Sequence, residues 1–189
     1  MKNSFPKYLI NWYFQQKIDL PWRLEQKNLY KTWISEIMLQ QSQVKTVIPF
    51  FINWMKKFPT IESVSTSSID KILKAWEGLG YYRRAHFIKH ASQIICDKHN
   101  GQIPKTYNSL IQLPGVGDYT ASAILSIGYN LPFFAIDGNF IRVFSRFFEI
   151  NNSNQKTVET IKKKLKKYKI SNYENFNQAV MDLGRTICK

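Results

Sequence analysis

Leu113-Pro114-Gly115-Val116-Gly117-Asp118-Tyr119 stands between two helix-like runs, and its reading decides the fold. Gly115 and Gly117 let the backbone turn tightly with positive φ. A helix that restarts directly after them leaves its first amide groups without partners, and such amides bind phosphate. A two-helix hairpin of this kind holds a nucleic-acid backbone without reading its bases.

On both sides of the hairpin the apolar residues recur at helical spacing, and no stretch alternates long enough for a sheet. The chain therefore reads as all-α. Helices are expected over residues 2–16, 30–39, 44–57, 69–76, 82–98, 107–112, 119–128, 139–148, 158–169 and 175–187. Gly78 and Gly101 fall at helix ends, and Pro49, Pro59, Pro104 and Pro132 near starts or breaks. Asn151-Asn152-Ser153-Asn154 is the most loop-like piece.

With 189 residues, 44% of them apolar, the chain can bury a real core. Its 27 Lys+Arg against 13 Asp+Glu give a formal charge of +14, which favours a polyanionic partner. Charge alone leaves nucleic acid and an anionic membrane both open. Met1 to Lys17, interrupted by Pro6 and by polar residues, forms neither a signal-peptide core nor a spanning helix, which predicts a cytosolic protein. Two cysteines, Cys96 and Cys188, make no disulfide framework. Cys96, beside Ala91, Ile94 and Ile95, reads as a core thiol.

Lysines crowd the last third, at Lys162-Lys163-Lys164, Lys166-Lys167 and Lys169. Val158, Ile161, Leu165 and Tyr168 share one face of that helix, so the lysines coat its solvent side or touch phosphate. Arg142 and Arg146 suit a solvated helix face as well as DNA phosphates. His86 and His90 lie four apart, but no third metal ligand is placed near them.

Two carboxylates differ in setting. Asp137 follows the apolar Phe133-Phe134-Ala135-Ile136 and precedes a helix start at Gly138-Asn139-Phe140, where an N-cap would be held as the anion with a lowered pKa. A plain cap explains it on its own. Glu36 lies at the edge of the apolar arc of Trp33, Ile34, Ile37, Met38 and Val44. Partial desolvation there would raise its pKa and keep it protonated near neutrality; a solvated helix face is the plain alternative. Gln41 falls within the same arc, so the helix should break near Gln40-Gln41-Ser42-Gln43. Together an acid and an anion suit cleavage of a glycosidic bond, which needs a proton for the leaving group and a negative charge beside the sugar cation. A base within a duplex must first be flipped out.

Trp33 to Val44, Trp76-Glu77-Gly78-Leu79-Gly80-Tyr81-Tyr82-Arg83-Arg84-Ala85, the hairpin, Ile136-Asp137-Gly138-Asn139, and Met181-Asp182-Leu183-Gly184 with Cys188 closely resemble the adenine DNA glycosylase (MutY) branch of the helix-hairpin-helix glycosylases. The likeness covers nearly the whole chain. It implies a monofunctional enzyme that removes adenine mispaired with 8-oxoguanine or guanine from double-stranded DNA. It implies further that Glu36 protonates the adenine and Asp137 stabilises the sugar cation. Arg23, Tyr119 and Asn139 match the adenine pocket and its support; Gln41, Leu79 and Tyr81 match the wedge around the lesion; Leu113, Gly115, Val116 and Gly117 match the phosphate grip. The endonuclease III branch carries a lysine where Tyr119 stands and uses it to cut the strand. That branch, and a DNA-binding module without catalysis, are the rival readings.

The resemblance also implies a two-lobed fold: a six-helix barrel lobe with the hairpin over residues 28–131, and a second lobe from 1–27 and 132–189. Family members hold a 4Fe-4S cluster on four cysteines, of which only Cys188 is matched, so this polypeptide is not expected to hold one alone. A fragment, a clusterless variant and a decaying gene product all fit that departure. A monomer in the cytoplasm, brought to the nucleoid by DNA, is the remaining expectation.

Overall fold

The computed structural model describes residues 4–16, 18–23, 28–150 and 155–189. The loop-like Asn151–Asn154 piece and the expected first residues of the opening helix, 2 and 3, lie outside the described residues. The described secondary structure is helical, with no strand, and the chain divides into two compact units, residues 19–124 and residues 1–18 with 125–189.

The first unit holds α2 (Leu29–Leu39), α3 (Val44–Lys57), α4 (Ile61–Thr66), α5 (Ile69–Trp76), α6 (Arg83–His99), α7 (Tyr107–Leu110) and α8 (Asp118–Ala123). Asn28 starts α2 by accepting the Lys31 amide at 3.1 Å, satisfying one of the helix's orphan donors. Trp33, Ile34, Ile37 and Met38 then face a core shared with Phe51 and Trp54 of α3, Trp76 of α5 and Ile88 of α6. A polar thread runs through it: Trp54 Nε1 donates to the Tyr30 hydroxyl at 2.9 Å, which donates to the Phe58 carbonyl at 2.8 Å. Burial pushes the Tyr30 phenol well above its ordinary pKa.

Helix α4 is absent from the periodicity reading because six residues make too short a wheel. Its signal is a reciprocal cap, in which the Ser63 amide donates to Thr60 Oγ1 and the Thr60 amide to Ser63 Oγ, each at 3.2 Å. Pro49, expected near a break, sits inside α3 instead. The helix forgoes one backbone donor there, while Val47, Phe51 and Trp54 keep its face buried. Cys96, expected in the core, is half-buried on α6.

The second unit holds α1 (Phe5–Gln16), α9 (Gly138–Phe147), α10 (Gln155–Leu165) and α11 (Tyr173–Thr186). Helix α11 packs against α1 and α9, and α10 packs against α9. The core is aromatic: Phe144 stacks on Phe148 at 5.4 Å and on Phe176 at 6.2 Å, with Phe140 5.1 Å away. Ile161 and Leu165 are buried as the lysine-helix pattern requires, but Lys164 turns inward, donating to the Phe148 carbonyl at 3.3 Å and lying 5.1 Å from that ring's centre. Buried Asn177 of α11 pins the segment before α9, accepting the Ala135 amide at 2.8 Å and donating to the Phe133 carbonyl at 3.0 Å. Between α8 and residue 128 the helix widens into a π-helical turn, Ile124–Gly128, so the expected helix over 119–128 is not regular.

Candidate active site

In the unit of residues 19–124, α2 carries Glu36 and α8 carries Tyr119. Glu36 is only 6% exposed, deeper than the helix edge expected of it, and the Tyr119 hydroxyl donates to its Oε2 at 2.8 Å. Burial disfavours a carboxylate, and a hydrogen bond donated to the oxygen favours it. The hairpin is tied to the same helix by Gln40, whose Nε2 donates to the Gly115 carbonyl at 3.3 Å and to Thr120 Oγ1 at 3.2 Å. Sequence reasoning missed that link, although Gln40 stood in the quoted motif.

Of the two hairpin glycines expected to take positive φ, only Gly115 does, because Gly117 is the extended N-cap of α8. Gly115 has φ +78°, and a Cβ there would lie 2.8 Å from Cβ of Phe87, so both conformation and space select glycine. Val116 donates its amide to the Leu113 carbonyl at 3.1 Å, and both side chains are buried. Gly117, with extended backbone, caps α8 without a side-chain hydrogen bond. The Tyr107 hydroxyl donates to Asp118, which raises the tyrosine's pKa.

Of the three positions that the resemblance assigns to a wedge, two are exposed. Helix α2 ends at Leu39, and Gln41 follows with φ 56°, exposed, where the sequence places a break. Tyr81 has φ 48° and is 60% exposed. Leu79, by contrast, is buried between two glycines of positive φ, Gly78 and Gly80. Arg23 closes a turn, its amide donating to the Leu20 carbonyl at 2.8 Å.

In the other unit Asp137 caps α9. Its Oδ1 accepts the Phe140 amide at 2.7 Å, and its Oδ2 accepts Asn139 Nδ2 at 2.8 Å. Arg142 holds Asn139 in turn, donating from Nη2 to Asn139 Oδ1 at 2.8 Å and to the Gly184 carbonyl at 2.6 Å, and from Nε to the Cys188 carbonyl at 2.6 Å. Arg146 donates to Cys188 Sγ at 3.1 Å. Arg142 is thus half-buried and engaged with protein, not with a solvated face. Gly184 completes the arrangement: a Cβ on it would stand 2.6 Å from Asn139 Cβ. No local pattern marks contacts that span over forty residues.

The iron-sulfur cluster implied by the resemblance does not fit these residues. Four thiolates are needed, the sequence has two cysteines, and among the described residues no group of three or more His, Cys, Asp or Glu is gathered for a metal. No helix of the described residues is long and apolar enough to cross a membrane.

Residues 34–169 match the HhH-GPD superfamily base excision DNA repair protein family. The chain belongs to the HhH-GPD superfamily. Within it, the adenine DNA glycosylase of Buchnera aphidicola subsp. Baizongia pistaciae is 47% identical over 97% of this chain and 53% of its own length. The chain spans about half the length of the curated relatives it matches. Two solved structures share the HhH-GPD fold: a thermostable thymine-DNA glycosylase, with TM-score 0.84 at 24% identity over 98% of this chain and 87% of that one, and a non-covalent endonuclease III–DNA complex, with TM-score 0.80 at 21% identity over 100% and 88%.

Proposed function

We propose that this chain carries the catalytic region of a monofunctional glycosylase that removes adenine mispaired with 8-oxoguanine or guanine from double-stranded DNA. The observation that supports it best is the buried Glu36 carboxyl under the Tyr119 hydroxyl, 2.8 Å away, in a chain 47% identical to an adenine DNA glycosylase.

In this reading the target adenine leaves the stack. The bond between sugar C1′ and the base breaks, its electron pair goes to the adenine, and Glu36 supplies a proton to the departing ring. Asp137, its oxygens fixed by the Phe140 amide and by Asn139, shelters the positive sugar. Water adds at C1′ and loses a proton, leaving an abasic site and free adenine. Tyr119 offers no amine for a Schiff base, so the strand stays uncut. Gly115 to Gly117 grip phosphate, and Gln41 and Tyr81 fill the space the base vacates.

Single-turnover release of adenine from a duplex with an A:8-oxoguanine mispair tests the reading. Glu36→Gln keeps size and shape but holds no acidic proton, so excision should fall at least about a hundredfold, the scale of general-acid catalysis, with DNA binding retained. Full single-turnover activity in Glu36→Gln would remove it from that role. Covalent trapping on DNA with borohydride would turn the assignment towards a glycosylase/lyase.

A further inference from the structure

Arg84, at the start of α6, is only 5% exposed, and burial pulls its guanidinium below the usual arginine range. Among the described residues its hydrogen-bond acceptors are backbone carbonyls and one hydroxyl. Nη1 donates to the carbonyls of Ile37 at 3.2 Å, Met38 at 2.7 Å and Gln40. Nη2 donates to Ser42 Oγ at 3.2 Å and to the carbonyls of Leu79 at 3.4 Å and Gly80 at 3.1 Å. The guanidinium lies 5.2 Å from the centre of the Trp76 ring and 5.4 Å from that of Tyr81.

Capping the last carbonyls of α2 would need only the first of these groups. The second reaches a different segment, the turn from Gly78 to Tyr81. Each segment holds an exposed non-glycine residue in the left-handed region, Gln41 at φ 56° and Tyr81 at φ 48°. Such residues are strained and persist only where their surroundings over-determine them, and strain of this kind gathers at working sites.

We propose that Arg84 is a positioning residue that locks the Gln40–Ser42 turn and the Gly78–Tyr81 turn together, so that Gln41 and Tyr81 enter the DNA stack as one preset wedge. This rests on reading Gln41 and Tyr81 as the wedge. Opening a base step costs a few kcal/mol, and side chains that must order themselves on entry add their own entropy to that cost. A guanidinium can serve both turns because its donors fan out in a fixed plane. A lysine ammonium is a point charge and cannot.

The test uses a duplex with 2-aminopurine in place of the mispaired adenine, whose fluorescence rises on unstacking, with affinity measured separately. Wild-type protein at saturation should raise the fluorescence, and Tyr81→Ala should lose the rise. Arg84→Lys should bind within about threefold of wild type, because phosphate contacts carry the affinity. Its opening equilibrium should fall at least about tenfold, the scale of losing hydrogen bonds to a charged group. Arg84→Lys that folds and opens the duplex like wild type overturns the assignment of Arg84. If wild type raises no fluorescence, or if Tyr81→Ala opens the duplex normally, the wedge reading beneath it fails instead. Should Arg84→Lys not fold, Ser42→Ala decides, since it removes one bond at the rim of the lock. A loss of about threefold is expected from one neutral partner, and unchanged opening overturns the proposal.

Discussion

Glu36 and Asp137 are both carboxylates in helical surroundings, and they are held in opposite ways. Asp137 receives its bonds from two and three residues downstream, so its orientation is written into the local helix start. Glu36 lies inside α2, away from either cap, and the hydroxyl bonded to it comes from 83 residues away. A local cap forms whenever its helix forms. A buried acid depends on the packing of α2 against α8, so its environment is a property of the whole unit. The support around Asp137 reverses the pattern one layer out, where Arg142 and Gly184 bring long-range contacts to Asn139.

Breaking that outer layer should have the largest effect on stability. Gly184→Ala places a methyl group 2.6 Å from Asn139 Cβ and 3.1 Å from its Cα, and backbone on both sides limits relief. The clash should cost about 3 kcal/mol, the upper end of overpacking since backbone blocks relief, and the helix-propensity gain of about 1 kcal/mol leaves a net loss of about 2 kcal/mol in chemical denaturation. Excision should fall as Asn139 is displaced. A variant as stable as wild type would mean that Asn139 is not held where the contact requires.

Tyr119→Phe probes the inner layer at Glu36. The loss of one net hydrogen bond should cost about 1 kcal/mol of stability, while single-turnover excision falls more steeply than stability because the acid loses its fixed orientation. Equal excision in the two proteins would separate Tyr119 from the chemistry. Asp137→Asn should likewise cost about 1 kcal/mol of stability, because asparagine keeps the cap to the Phe140 amide but has no second oxygen to accept Asn139 Nδ2. Excision should nonetheless be lost, since an amide brings no negative charge to the sugar. Retained excision would reduce Asp137 to a cap.

The same contrast explains what was legible in the sequence. The hairpin, the end of α2 at Leu39 and the cap at Asp137 follow from signals a few residues long, and all three are present in the fold. Helix α4 was missed although its cap is equally local, because Thr60 and Ser63 form a capping box with serine in the place usually held by a carboxylate or amide. The inward turn of Lys164 and the lock around Arg84 depend on partners that no spacing within one helix reveals. Arg84 stood in a quoted motif beside Arg83, and nothing in the pair distinguishes the buried arginine from the exposed one.

Tyr30 gives residues 19–124 an alkaline limit. Its phenol is the hinge of a buried donor chain from Trp54 to the Phe58 carbonyl, and burial raises its pKa above that of the unfolded chain. Stability held by the neutral phenol is complete below the ordinary tyrosine pKa and drains away as the solution becomes more basic. Tyr30 would give up its proton only as the aromatic core around it comes apart, so its ultraviolet signature would time the collapse.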